Sequence, residues 1–161
     1  MSKTLVLAER VLSIRGRVGI TDEQGQQCYE GRGDFSLLHT RWRIFRDTDE
    51  VALIKKKFFA LRPTFRVSGE LGEFVMQRKL LSLRRHYRVI GGTYDGAIFS
   101  GGIFDLNFKI EHNGKLLAQA QEKLVSLRDK HRLEVLSDDR HDELFTVIAM
   151  VVMQMEKHAD D

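Results

Sequence analysis

The last long segment of the chain constrains its fold most. Leu144 to Met155 reads LFTVIAMVVMQM and follows the acidic run from Ser137 to Glu143. Wound at 3.6 residues per turn, the apolar side chains at 144, 145, 147, 148, 150, 151, 152, 153 and 155 leave no polar face, so this helix must be buried on all sides. Such a helix needs a container. Ser137, Asp138 or Asp139 can cap its first amides, and Asp142 and Glu143 oppose the positive end of its dipole. The same acidic cluster lacks the spaced ligands of a calcium loop. The apolar run falls well short of the roughly 20 residues that span a bilayer, so no transmembrane span is predicted.

The rest of the chain supplies the container. One phrase recurs along it, as Arg10-Val11-Leu12-Ser13-Ile14-Arg15, Lys57-Phe58-Phe59-Ala60-Leu61-Arg62, Lys79-Leu80-Leu81-Ser82-Leu83-Arg84 and Lys123-Leu124-Val125-Ser126-Leu127-Arg128. Weaker copies at Phe35–Leu38 and Ile98–Gly101 fill the gaps, and the small residue returns every 18 to 26 residues. A strand runs up to each phrase and a second leaves it, as in Arg17–Thr21, Thr64–Val67, His86–Ile90 and His131–Val135, each alternating apolar and polar. Turn signals separate the units at 22–25, 47–50, 68–72, 91–96 and 112–114. Six such units predict about twelve antiparallel strands over residues 4–136. Their edges are removed only if the sheet closes. A twelve-stranded barrel is wider than the eight-stranded kind that its own side chains fill, and a helix is about 10–12 Å across. The expected fold is therefore mainly β, a closed antiparallel barrel around a central helix at about 139–157. At 161 residues the chain fits a single domain, 1–161.

Cys28 is the only cysteine, so no internal disulfide forms, and its place in a strand predicts a buried, inert thiol. The N-terminus carries Lys3, Glu9, Arg10, Arg15 and Arg17 and lacks a signal-peptide core, which with the unpaired cysteine predicts a cytoplasmic protein, able to sit peripherally at a membrane. Charge is unevenly spread. Val51 to Ile90 holds ten basic residues against Glu70 and Glu73, whereas Glu134 to Asp161 holds eight acidic residues against Arg140 and Lys157. Such a field attracts an anionic partner, although charge runs on strands also serve simply as a solvated exterior.

No catalytic constellation stands out: there is no G-x-S-x-G, no H-E-x-x-H and no complete P-loop around Gly114-Lys115. His39, His86, His112, His131, His141 and His158 lack metal-ligand spacing. No enzyme, metal or cofactor is predicted. In the repeat register Arg10, Lys57, Lys79 and Lys123 form one column and Arg15, Arg62, Arg84 and Arg128 another, the second at the turn ending each unit's first strand. Arginines gathered on a rim can grip phosphate bidentately; alternatively each bonds a turn carbonyl or a neighbouring carboxylate.

The repeated K-h-h-S-L-R phrase, best kept at Lys57–Val67, Lys79–Val89 and Lys123–Leu133 in a strand-rich chain with one apolar helix, resembles the LURP-one-related family and its bacterial YxjI-type relatives. The resemblance implies the Tubby C-terminal-like fold, a twelve-stranded barrel around a helix shared with Tubby proteins and phospholipid scramblases. It implies links to phosphoinositides and lipid movement, but no head-group residue aligns with this chain, and shared fold does not establish shared function.

Three roles compete. A non-enzymatic binding module would dock on anionic phospholipid or phosphoinositide through Lys55, Lys57, Arg62, Arg78, Lys79, Arg84 and Arg88 on the barrel exterior. A structural or protein-interaction domain would use the same charges for solubility. Nucleic-acid binding is disfavoured because Trp42 is the only tryptophan and most phenylalanines alternate inward.

Overall fold

The computed structural model of the chain describes residues 3–9, 16–35, 40–57, 59–80, 85–101, 108–120 and 130–160. Twelve strands run β1 (Lys3–Glu9), β2 (Arg17–Thr21), β3 (Gln27–Phe35), β4 (Thr40–Arg46), β5 (Asp49–Lys56), β6 (Thr64–Gly69), β7 (Phe74–Arg78), β8 (His86–Ile90), β9 (Ile98–Ser100), β10 (Lys109–His112), β11 (Lys115–Ala120) and β12 (Lys130–Val135), followed by helix α1 (Arg140–Asp160). Each strand pairs antiparallel with its neighbours in sequence, and β1 also pairs with β12 through Leu5↔Leu133, so the sheet closes into a barrel. Of the four strands read from alternation, β2 and β8 have the expected limits, while β6 and β12 extend theirs by one or two residues.

A strand runs up to the phrase and a second leaves it at the two copies beginning at Lys57 and Lys79. Lys57 and Phe59–Arg62 fall in the β5–β6 connection, and Lys79–Leu80 open the β7–β8 connection. The two copies close alike: Lys57 N–H donates to the Thr64 carbonyl and Lys79 N–H to the His86 carbonyl, each at 2.8 Å and each spanning seven residues. Where they are described, these two copies lie in the connection that leads into the outgoing strand. The copies beginning at Arg10 and Lys123, and Phe58, Leu81–Arg84 and Ser36–Leu38, lie outside the described residues.

The β5–β6 and β7–β8 connections belong to one rim, here the far rim. The opposite rim, where α1 enters, includes tight two-residue turns at 47–48 and 113–114. Asn113-Gly114, with φ of 51° and 74°, is the left-handed pair suited to a two-residue hairpin. The register shifts at Ile20/Thr21, Ile44/Phe45 and Ile110/Glu111 all lie beside this entry rim. Bulges there add the local twist a closing sheet needs.

Helix α1 fills the lumen. No residue from Leu144 to Met155 is more than 4% exposed, including Thr146 and Gln154. Asp139 Oδ1 accepts from the His141 amide at 2.8 Å and Ser137 Oγ from the Asp139 amide at 3.0 Å, which selects Asp139 among the capping candidates. Phe145 stacks on Tyr94 at 4.2 Å and tilts against Phe74 at 6.0 Å. Gly31 faces inward, where an added Cβ would come within 3.3 Å of the Trp42 ring and 3.7 Å of Val151; its missing side chain lets ring and helix approach. Among the described residues, no helix is long and apolar enough to cross a membrane.

The barrel also buries phenols. Burial foremost raises the pKa of Tyr29, Tyr87 and Tyr94, with Asp142 adding to the rise at Tyr94 and Glu156 at Tyr87; Tyr29 is pushed up to about 12 despite its Arg46 hydrogen bond. The unfolded chain thus releases these protons first, from pH 10 upward. Their stabilising effect is complete below pH 10 and is lost as pH rises through the folded values. The urea midpoint is expected to hold up to pH 10 and fall steeply above it, with a shallower fall between 10 and 12 in Tyr29→Phe. A midpoint independent of pH in that window would contradict this.

Candidate anion-binding face and far rim

Strand parity sorts the cations of β4 to β8 into two groups. Inward positions at the far rim carry Lys56 on β5, paired with Phe65, and Arg78 on β7, paired with Tyr87. Both reach the helix: Glu156, 3% exposed, accepts from Arg78 Nη1 at 2.9 Å and lies 3.4 Å from Lys56 Nζ. Arg78 was expected on the exterior. Its register instead turns it toward the lumen, where a helix carboxylate holds it. Nearby, the Tyr87 hydroxyl is buried with no hydrogen-bond partner among the described residues.

The Glu156 cluster anchors the last turns of α1. Removing one member of a buried ion pair strands the others, at about 3–5 kcal/mol when all are enclosed. Lys56 and Arg78 are 27% and 30% exposed, so solvent recovers part of that. Glu156→Ala is expected to cost about 1–3 kcal/mol in urea denaturation. An unchanged midpoint would mean that the cluster adds nothing to stability.

Outward positions form a different array. The register places Arg41 opposite Lys55 and Lys55 opposite Arg66, so three cations stand side by side across β4, β5 and β6. Arg66 faces Val75, which faces Ile90, continuing the row as an aliphatic surface on β7 and β8. An open concavity of about 490 Å³ is lined by Lys55, Arg66, Ser68, Glu73, Val75 and Ile90. Like charges directly opposite one another destabilise a sheet.

Several cations elsewhere on the wall have carboxylates. Arg32 meets Glu30 at 2.7 Å, Arg46 meets Glu70 at 2.8 Å, Lys3 meets Glu143 at 3.2 Å and Lys109 meets Glu111 at 3.3 Å. In contrast, Lys55, Lys57, Arg62, Arg66, Lys79 and Arg88 are exposed and form no ion pair among the described residues. Arg41 reaches Asp34 only at 4.0 Å, and its Nε is buried without a partner. Of the seven residues singled out from sequence, Lys55, Lys57, Arg62, Lys79 and Arg88 thus lie outward or on the far rim, Arg78 faces inward, and Arg84 lies outside the described residues. Sequence reasoning missed Arg41 and Arg66 as members of the row. Alternation alone could have assigned them to the outer face, but only the pairing register makes them neighbours of Lys55.

The remaining candidates are quiet. His86 has its pKa lowered, by burial first and by Lys79 second. Cys28 is half-buried rather than enclosed, and its thiol is raised, chiefly by burial, which disfavours the reactive thiolate. Among the described residues, no group of His, Cys, Asp and Glu is arranged to hold a metal ion.

The profile of the family described as LURP-one-related matches residues 3–154. No curated protein and no solved structure matches the chain.

Proposed function

Since the chain belongs to the LURP-one-related family, which fixes kinship and not activity, we propose from the wall itself that it is a non-enzymatic domain docking on the head groups of anionic phospholipid. The observation carrying this reading is the Arg41–Lys55–Arg66 row, in which like charges stand directly opposite one another and Lys55 and Arg66 meet no carboxylate among the described residues. A phosphate resting between Lys55 and Arg66 would relieve their repulsion and accept charge-assisted hydrogen bonds from both. The adjoining Val75 and Ile90 offer aliphatic contact where a nucleic-acid surface would need stacking rings.

Co-sedimentation with phosphatidylcholine vesicles, with and without phosphatidylserine, tests the reading. Binding should require the anionic lipid and weaken as salt rises, because exposed charges are screened over about 8–10 Å at physiological ionic strength. Equal recovery with neutral and anionic vesicles, or none with either at low salt, would reject it. Partners that co-purify unchanged after charge reversal would favour a protein-interaction role.

A further inference from the structure

The far rim carries exposed apolar side chains with cations around them. Phe59 is 92% exposed and Leu61 96%, both in the β5–β6 connection; Leu80, in the β7–β8 connection, is 54% exposed. The two connections are neighbours, since β6 pairs with β7 and Arg78 N–H donates to the Pro63 carbonyl at 2.9 Å. Lys57, Arg62 and Lys79 are exposed in the same connections. No acidic residue occurs between Lys55 and Arg66 or between Arg78 and Arg88 in the sequence.

We propose that this rim enters the interface of an anionic bilayer tip first, with Phe59, Leu61 and Leu80 among the acyl-chain ends and the surrounding cations at phosphate level. The inference rests on the lipid-docking reading and adds the barrel's orientation. Apolar side chains this exposed, set among cations with no acidic residue between them, match the apolar interior and anionic head groups of a bilayer. Spacing agrees with the assignment. Lys55 is two residues back along β5 from Lys57, about 7 Å at a strand's rise, so apolar tips, rim cations and the Lys55–Arg66 row follow one another into the head-group layer. The barrel then stands end-on, with the helix entry rim facing away from the membrane.

The test uses the full chain and phosphatidylcholine–phosphatidylserine vesicles carrying brominated acyl chains. Trp42 is 1% exposed and enclosed in the barrel, so it stays unquenched, while Leu61→Trp should shift to the blue and be quenched on binding. Phe59→Ser with Leu61→Ser should weaken vesicle partitioning by about tenfold or more, from the lost apolar transfer, with an unchanged melting temperature because neither side chain packs in the core. Vesicle binding with no quenching at position 61 and no loss in the double variant would overturn the orientation and leave head-group docking on the wall intact. Absence of vesicle binding by the unsubstituted chain would overturn both. A dimer in sedimentation velocity that the double variant disperses would assign the tips to a second copy instead and overturn the membrane insertion.

Discussion

A chain cut after Asp139 is expected to yield no folded domain. The helix residues lost from Leu144 to Met155 are at most 4% exposed in the native barrel. Burying a large apolar side chain contributes about 1.5–3 kcal/mol, and nine of them give on the order of 15–25 kcal/mol before entropy and denatured-state compaction are counted. Net domain stabilities are only about 5–15 kcal/mol. The loss is larger than the helix itself, because Leu5, Ile20, Ile44, Ile54, Val89 and Ile110 point into the same lumen and would face water. Without α1 the twelve strands enclose a space too wide for their own side chains to fill. Circular dichroism and thermal melting are the measurements; a soluble truncation that melts cooperatively would refute the central-helix account.

Lys55→Glu should move stability and binding in opposite directions. In the native sheet Lys55 stands between Arg41 and Arg66. The introduced carboxylate would face a guanidinium on each side and turn a repulsive row into a paired one, a gain of about 0.2–1 kcal/mol per favourable cross-strand pair. Each basic residue near an anionic membrane surface is worth about 1 kcal/mol, so reversing one charge should cost about 2 kcal/mol of vesicle affinity, roughly thirtyfold. A higher urea midpoint with weaker phosphatidylserine-dependent sedimentation is the expected pair of results. If affinity falls only in parallel with stability, the row acts through the fold and is no binding surface; if affinity is unchanged, the head-group reading fails at its main contact.

Much of this architecture is legible in the residues because the signals are local. A helix with no polar face needs an enclosure, alternation over five residues makes a half-buried strand, and Ser137 to Glu143 marks a helix start whichever carboxylate serves as cap. The repeat gave the number of units correctly, and Lys57 and Phe59–Arg62 lie in a connection between the strand that runs up to the phrase and the one that leaves it. There the terminal hydrogen bond from Lys57 to Thr64 closes the hairpin and leaves Phe59 and Leu61 in solvent. An apolar side chain in a β-like phrase looks like core until the hairpin's closing bond is known.

The sequence by itself determined the closed barrel, the buried helix and the basic bias of residues 51–90, because periodicity and composition act within a single element. Tertiary structure alone decided which cations meet. Side chains in a strand alternate with a period of two, so a one-residue difference in parity sends Arg78 inward to Glu156 and Arg66 outward beside Lys55. Which residue lies opposite another depends on the register between strands, and that is set by loop lengths, bulges and the helix in the lumen acting together.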